Sequence, residues 1–320
     1  MNPRQNQPTV GILVAPEDSR PPGLEWLDEH AEIHVVRTLD DVSIIADAVQ
    51  VFAVYDFRTT LMEEIALRCP RLEWIHAASA GVDAVMTSTV RKRGLTVTNS
   101  RGVFDQGIAE YVLGGMLAFT KDIPGTLHRQ RERRWEHRVT EPVAGRRMLV
   151  VGAGSIGRAI GQLAAAAGVE VRGVARRERD DDPVFGHVAT QDHLLNLLPW
   201  ADFIVLSVPL TDETRGLFGE AAIAACRPDA RLINVARGGI VDELALLQAL
   251  QSGGLAGALL DVFEDEPLPT EHPFWTMDHV IVSPHMAGDL LGWVESLSAL
   301  FVENFERWQS GDDLKNAIRE

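Results

Sequence analysis

A chain of 320 residues is longer than one typical domain, so two separate hydrophobic cores are expected. The formal net charge of −16 argues against a broad nucleic-acid or anionic-membrane surface, because such surfaces need clusters of Lys and Arg. Cys69 and Cys226 are too few for a disulfide framework, and their spacing indicates no metal site. The low cysteine count predicts a cytoplasmic location, and a polar N-terminus with no long apolar run predicts an unanchored protein.

The first third of the chain has the pattern of a small doubly wound parallel sheet. Short β-branched runs alternate there with helical patterns, which is typical of βαβ units. Strands are predicted at residues 9–14, 32–37, 51–55, 72–76 and 96–98. A helix is predicted at 106–120, and the arginine-rich stretch 129–138 around Trp135 is interpreted either as a dimer surface or as a solvated helix face.

A glycine fingerprint opens the second block. A strand-like run ends in Gly152-Ala153-Gly154-Ser155-Ile156-Gly157. In such a fingerprint the first glycine makes a tight turn, the second leaves room for a pyrophosphate, and the third packs the helix on the strand. The sequence therefore predicts a dinucleotide site at Gly152, Gly154, Ser155, Ile156 and Gly157.

The acidic residue expected about twenty positions later is missing, and Ala175-Arg176-Arg177 stands in its place. In NAD sites an Asp or Glu accepts the ribose 2′-hydroxyl, whereas a 2′-phosphate requires the loss of that charge and an arginine within reach. This pattern favours NADP(H) over NAD(H), with Arg176 as the first arginine after the strand. The competing interpretation is a solvated loop, because Arg179 and the acidic residues 180–182 follow.

The second block completes a dinucleotide-binding sheet. Its strands are predicted at residues 147–151, 169–174, 203–208, 231–235, 257–261 and 280–283. A tail helix at 292–307 has an apolar stripe and is expected to pack on the first domain. The predicted α/β fold is a Rossmann cofactor domain (104–286) inserted into a flavodoxin-like substrate domain (1–103 and 287–320), each built on a doubly wound parallel sheet.

Three charged residues follow predicted strands of the second block: Arg237, Glu266 and His285. Ligands of open parallel sheets lie beyond the carboxyl ends of the strands, so these side chains are the candidates for chemistry. Histidine suits proton transfer, a neighbouring carboxylate fixes its tautomer and favours its protonated form, and arginine grips a carboxylate. Together they suit hydride transfer between nicotinamide and a 2-hydroxy or 2-keto acid. Glu264 is a rival for Glu266, and pairing with Asp242 is the alternative role of Arg237.

Over nearly its whole length the chain resembles the D-isomer-specific 2-hydroxyacid dehydrogenase family. The resemblance rests on the glycine fingerprint, on segments 206–214 and 234–238, on Glu266-Pro267 and on Pro284-His285. It implies that Arg237 orients the substrate, that Glu266 is the partner carboxylate and that His285 is the acid/base. It also implies cofactor contacts at Ala175, Val208, Pro209, Thr214, Val235, Ala236 and Asp261.

Segment 78–83 resembles the substrate-carboxylate loop of this family. Its small residues Ser79, Ala80 and Gly81 allow backbone N–H groups to approach an anion. The substrate is therefore expected to meet these residues as well as Arg237 and His285. Two departures from the family pattern are Tyr111, where many members carry a histidine, and the less typical segment 104–107.

The sequence thus predicts a cytoplasmic, NADP(H)-dependent 2-ketoacid reductase, and the family resemblance implies D-specificity and a homodimer formed through residues 120–142. Its partner is a small 2-keto or 2-hydroxy acid, and neither a metal, a nucleic acid nor a membrane is expected. One alternative is a non-catalytic corepressor that senses NAD(P)(H); another is a phosphite dehydrogenase, which shares the Arg, Glu and His pattern. Formate dehydrogenases resemble this family with a glutamine at the position of Glu266, which argues against that assignment.

Overall fold

A computed structural model describes residues 7–318 of the chain. The chain forms two compact units, one from Met1–Phe104 with Leu290–Glu320 and the other from Asp105–Asp289. The sequence analysis placed these boundaries between residues 103 and 104 and between residues 286 and 287. Both units are α/β, as predicted.

The first unit is built on a five-stranded parallel sheet of order β2-β1-β3-β4-β5. This is the order of a doubly wound flavodoxin-like sheet. The strands are β1 Thr9–Leu13, β2 Glu32–Val36, β3 Val49–Val54, β4 Trp74–Ala77 and β5 Thr96–Asn99. The helices are α1 Leu39–Ile45, α2 Met62–Arg68, α3 Ser88–Arg93 and, from the tail of the chain, α10 Trp293–Ser310, with a 3-10 turn at Glu25–Glu29.

Both faces of this first sheet are buried. Along β3, Val51 and Ala53 belong to one apolar cluster and Phe52 and Val54 to the other, because successive side chains of a strand point to opposite faces. The tail helix α10 contributes Phe301 and Phe305 to the first of these clusters, where they pack near Trp74. The prediction that the tail helix returns to the first domain is therefore correct.

The second unit is built on an eight-stranded sheet of order β13-β12-β11-β10-β6-β7-β9-β8. Its strands are β6 Arg147–Val151, β7 Glu170–Ala175, β8 Arg179–Asp182, β9 Gly186–Thr190, β10 Phe203–Leu206, β11 Arg231–Asn234, β12 Gly257–Leu260 and β13 Val280–Val282. Its helices are α4 Asp105–Thr120, α5 Ile123–Arg131, α6 Ser155–Ala166, α7 Leu194–Leu197, α8 Glu220–Ala225 and α9 Glu243–Ser252, with 3-10 turns at Gln191–His193, Leu198–Trp200, Gly238–Ile240 and Pro273–Thr276.

The six predicted strands of this block are present, and two further strands, β8 and β9, were not predicted from the sequence. β8 is the edge strand and consists of Arg179–Asp182, whose charged residues have no alternating apolar pattern, and β9 next to it is short. β9 lies parallel to β7, and β8 pairs with it in antiparallel orientation. The strand character of β9 therefore depends on pairing with β7, and that of β8 on pairing with β9, rather than on local sequence.

Central strands of the second sheet are buried on both faces, as a parallel sheet covered by helices requires. Residues Met148, Leu149, Val150 and Val151 of β6 have no exposed surface. Within residues 7–318, no helix combines the length and apolar character needed to cross a membrane. In the same part of the chain no cluster of three His, Cys, Asp or Glu side chains has the arrangement of a metal site.

Candidate active site

The carboxyl ends of β6, β10, β11, β12 and β13 meet at one edge of the second sheet, because these strands are all parallel. This arrangement brings the glycine turn after β6 and the loops that follow the other four strands to the same edge. Arg237, Glu266 and His285, which are separated in the sequence, are all carried by these loops. The structure therefore assembles the predicted catalytic residues in the second unit.

His285 and Glu266 are hydrogen-bonded to each other at this edge. The Nδ1 atom of His285 lies 2.8 Å from the Oε2 atom of Glu266, and only about a fifth of each side chain is exposed (21% and 17%). A carboxylate can only accept a hydrogen bond, so Nδ1 carries the proton in this contact. In a neutral ring with its proton on Nδ1, the other ring nitrogen, Nε2, is the hydrogen-bond acceptor.

The second oxygen of Glu266 fixes the loop in which Glu266 lies. Its Oε1 atom accepts a hydrogen bond of 3.1 Å from the backbone N–H of Phe263. Glu264, the rival considered from the sequence, is exposed, and its backbone N–H donates to Glu243. The structure thus identifies Glu266 as the carboxylate beside the imidazole.

Arg237 is half-buried just after β11, and its guanidinium donates to the carbonyl of Ala236 at 2.8 Å. A Cβ atom on the next residue, Gly238, would lie 1.9 Å from the carbonyl carbon of Phe263. Only glycine therefore lets this segment lie against the loop that leads to Glu266. Asp242, the alternative partner considered for Arg237, caps α9 by accepting from the N–H of Ala245.

Asp261 holds the loop that carries His285. Its backbone carbonyl accepts from the N–H of His285 at 2.8 Å, and its carboxylate accepts from the N–H groups of Met286 and Ala287, each at 2.9 Å. The φ angle of His285 is 56°, in the left-handed region, which costs a residue other than glycine roughly 1–3 kcal/mol. Asp261 holds this unfavourable conformation and thereby orients the imidazole. The sequence analysis expected only a cofactor contact here.

The glycine turn after β6 has the three features that a pyrophosphate site needs. Gly152 has φ 115°, and a Cβ on Gly157 would lie 1.9 Å from the carbonyl oxygen of Gly152. Gly154, by contrast, has nothing within 4 Å of the position that its Cβ would occupy, so its open face lies at the N-terminus of α6. Because helix N-termini favour phosphate, the residues present fit a dinucleotide pyrophosphate.

Arg176 and Arg177 are exposed immediately after β7, which ends at Ala175. The pKa of Glu213 lies below its ordinary value, mainly because Thr211 donates a hydrogen bond to its carboxylate, with a smaller contribution from the positive charge of Arg176. Because β7 is parallel to β6, Arg176 follows β7 at the same end of the sheet as the glycine turn that follows β6.

Arg179 holds the glycine turn by a hydrogen bond to its backbone. Its guanidinium donates to the carbonyl of Ala153 at 2.6 Å and to the carboxylate of Asp182 at 2.9 Å. Arg158 of α6 donates to the same carboxylate at 2.8 Å. Burial by itself raises the pKa of Asp182, but these hydrogen bonds outweigh it and hold the pKa well below its ordinary value. The expectation of a solvated segment is therefore wrong for Asp182, whose side chain is completely buried.

The remaining predicted cofactor residues follow β6, β10 and β11 at the same sheet edge. Thr214 is buried and closes the loop after β10 by donating to the carbonyl of Pro209 and accepting from the N–H of Thr211. The others are Ser155 and Ile156 at the start of α6, Val208 after β10, and Val235 and Ala236 after β11. Their contacts with a cofactor stay a prediction.

The loop Ser79-Ala80-Gly81 belongs to the first unit and follows β4. The carbonyl of Ser79 accepts from the N–H of Ser100, and the carbonyl of Ala80 accepts from the side-chain amide of Asn99. In a trans peptide the N–H points opposite to the carbonyl, so the N–H groups of Ala80 and Gly81 face away from these partners. An anion could approach from that side, and binding of an anion by this loop stays a prediction.

A dinucleotide turn, a histidine–carboxylate pair and an arginine at one edge of a parallel sheet define a pyridine-nucleotide-dependent oxidoreductase. The family profile described as D-isomer specific 2-hydroxyacid dehydrogenase, NAD binding domain, matches residues 113–287. The chain belongs to this family, whose members are NAD(P)-dependent oxidoreductases. The family prediction from the sequence is confirmed.

Relatives with assigned names agree with this classification. The glyoxylate reductase of Thermofilum pendens is 34% identical over 75% of this chain and 73% of its own length. The D-3-phosphoglycerate dehydrogenase of Methanocaldococcus jannaschii is 30% identical over 81% of this chain, which spans 50% of the length of that relative. A D-isomer specific 2-hydroxyacid dehydrogenase from Xanthobacter autotrophicus Py2, solved with NADPH and MES, is 30% identical with a TM-score of 0.79, covering 97% of this chain and 98% of its own.

Proposed function

We propose that this protein reduces small 2-ketoacids to D-2-hydroxy acids with NADPH as the preferred cofactor. The observation that carries the proposal is the 2.8 Å contact between His285 and Glu266 at the sheet edge that also holds the glycine turn. The similarity to a named glyoxylate reductase supports a small 2-ketoacid as substrate. Within the chain, Asp105–Asp289 would be the dinucleotide-binding domain and the other unit the substrate-binding domain.

His285 is the proposed proton donor. With Nδ1 held by Glu266, the protonated imidazole gives the Nε2 proton to the carbonyl oxygen of the substrate as that oxygen becomes an alkoxide. Glu266 stabilises the positive imidazolium before the transfer and keeps the ring oriented afterwards. Arg237 holds the carboxylate of the substrate through its guanidinium. Bound NADPH supplies the hydride that the keto carbon accepts.

In the first unit, the N–H groups of Ala80 and Gly81 are proposed to bind a carboxylate. Ser79 stabilises this loop, since its hydroxyl donates to the carbonyl of Gly81 at 2.7 Å. The N–H groups of Ala80 and Gly81 point away from Asn99 and Ser100, which supports this role.

The preference for NADPH is supported by the absence of an acidic residue after β7 and by the exposed guanidinium groups of Arg176 and Arg177. A relative that is 30% identical has been crystallised with NADPH. We expect Arg176 to bind the 2′-phosphate, with Arg177 as the alternative. The test is the ratio of kcat/KM for NADPH over NADH in the wild type, Arg176→Ala and Arg177→Ala. A wild-type ratio below one would refute the preference for NADPH. If the ratio is unchanged in Arg176→Ala but falls in Arg177→Ala, Arg177 binds the 2′-phosphate; if it is unchanged in both, neither arginine does.

The reaction itself is tested by a panel of 2-ketoacids, from glyoxylate to phenylpyruvate, assayed with both reduced cofactors. His285→Ala should reduce kcat by about two to four orders of magnitude, with the Kd of NADPH nearly unchanged, because the imidazole acts in the chemical step. Undiminished turnover in that variant would contradict the role of His285. Absence of turnover by the wild type on every ketoacid would favour a cofactor-sensing binding protein, and phosphite oxidation in a parallel assay would favour the phosphite alternative.

The homodimer and the cytoplasmic location are also part of this proposal. Trp135 and Val139 in the predicted dimer region are fully or almost fully exposed in the single chain, which supports burial by a second copy. Light scattering on the purified protein tests the dimer, and fractionation of the source cells tests the location.

A further inference from the structure

A chain of side-chain hydroxyls extends from helix α4 to Asp261. Tyr111 of α4 is hydrogen-bonded through its hydroxyl to the hydroxyl of Ser283, directly after β13. Ser283 in turn lies 2.5 Å from the Oδ1 atom of Asp261. We call these three linked side chains the hydroxyl chain.

The hydroxyl chain has one possible direction. The carboxylate of Asp261 can only accept, so the hydroxyl of Ser283 donates to it. A hydroxyl has a single proton, and Ser283 therefore accepts from Tyr111, which must be the donor. Burial raises the pKa of Tyr111 to about 12, so this phenol keeps its proton at every working pH.

The hydroxyl chain ends on the residue that holds His285. The same Oδ1 atom of Asp261 that accepts from Ser283 also accepts from the N–H of Met286, the residue after His285. The Oδ2 atom accepts from Ala287, and the backbone carbonyl accepts from His285. Asp261 is 2% exposed, so its orientation is set by these protein groups. Any rotation of its carboxylate displaces the loop in which the imidazole is held at φ 56°.

We propose that Tyr111 is a positioning residue for His285, acting through Ser283 and Asp261. The proposal rests on the proposed function, in which His285 is the proton donor. Tyr111 contacts neither the substrate nor the reacting atoms in this proposal. It holds the carboxylate of Asp261 in place through Ser283, and Asp261 in turn holds the loop that carries His285.

The test compares Tyr111→Phe, Ser283→Ala and the double variant with the wild type. Each single variant should lower kcat for ketoacid reduction about five- to tenfold, the effect of one lost hydrogen bond, while the Kd of NADPH stays within twofold. The double variant should lose little more than either single variant, because both changes break the same chain. Glu110→Gln, an exposed change one residue before Tyr111 on α4, is the matched control.

A second measurement does not depend on turnover. The backbone amide resonances of Met286 and Ala287, which donate to Asp261, should shift in Tyr111→Phe but not in Glu110→Gln. Wild-type kcat with unmoved resonances in Tyr111→Phe would overturn the proposal. The proposal would also be overturned if the kcat losses of the two single variants multiply in the double variant, or if the variants weaken only the binding of NADPH. If the wild type reduces no ketoacid but the resonances shift, the proposed function fails while the link from Tyr111 to the His285 loop stands.

Discussion

The imidazole of His285 is held by Glu266 through Nδ1 at 2.8 Å, although the two residues follow different strands. The contact places the proton on Nδ1 and provides a negative charge that would stabilise the protonated ring, and Nε2 is the nitrogen that exchanges a proton in the proposed function. A proton donor with this arrangement depends on its partner for both charge and orientation.

Replacing the partner carboxylate tests this dependence. Glu266→Gln keeps the size of the side chain but removes its charge, so kcat for ketoacid reduction should fall roughly tenfold to a hundredfold. Glu264→Gln, an exposed change in the same loop, should leave kcat within about twofold. Steady-state kinetics give kcat for both variants. If the two variants are equally active, Glu266 has no part in the mechanism.

The glycine turn offers a pair of variants with opposite expected effects. Gly154→Ala places its Cβ where nothing lies within 4 Å, so the unfolding free energy should change by less than about 0.5 kcal/mol while the KM for NADPH rises about tenfold. Gly157→Ala forces its Cβ against the carbonyl of Gly152 and should cost about 1–3 kcal/mol of stability. Thermal unfolding without cofactor, together with KM, distinguishes the two. A stable Gly157→Ala protein would contradict the close approach.

Asp182 should contribute stability that depends on pH. Its pKa is lower in the folded state than the unfolded value of about 3.9, so the contribution is present above about pH 4 and is lost as the pH falls towards the folded-state pKa. Asp182→Asn should cost about 2 kcal/mol at pH 7, less than for a fully buried pair because Arg158 and Arg179 are partly exposed. Urea unfolding at pH 7 and at pH 3 measures the difference, which should shrink at the lower pH. The matched control is Asp181→Asn, at an exposed neighbouring position.

The contact between the Arg237 segment and the Glu266 loop is tested at Gly238. A Cβ there meets the backbone of Phe263, so Gly238→Ala should cost about 1–3 kcal/mol and lower kcat/KM as the two segments separate. Gly239→Ala meets only the end of the flexible Arg215 side chain, at 3.0 Å, and should be tolerated. Similar unfolding curves and activities for the two variants would show that Gly238 is not needed for this contact.

Local sequence was sufficient for most of the fold. Central strands such as β6 are continuous apolar runs because both faces of the sheet are covered. The turn that follows β6 is marked by its glycines. β8 and β9 could not be predicted because the charged edge strand β8 and the short strand β9 have no clear pattern of their own and form only beside a partner strand.

By itself the sequence determined the two α/β cores, the glycine turn and the residue types needed for the chemistry, since these follow from local patterns and from an ordered set of motifs. Only the tertiary structure decided between Glu266 and Glu264, revealed Asp182 as a buried partner of two arginines, and linked Tyr111 to the His285 loop. The physical reason is that these contacts join residues on different elements. Hydrogen bonds of this kind depend on strand order and on the conformation of loops, neither of which leaves a periodic signal in the chain.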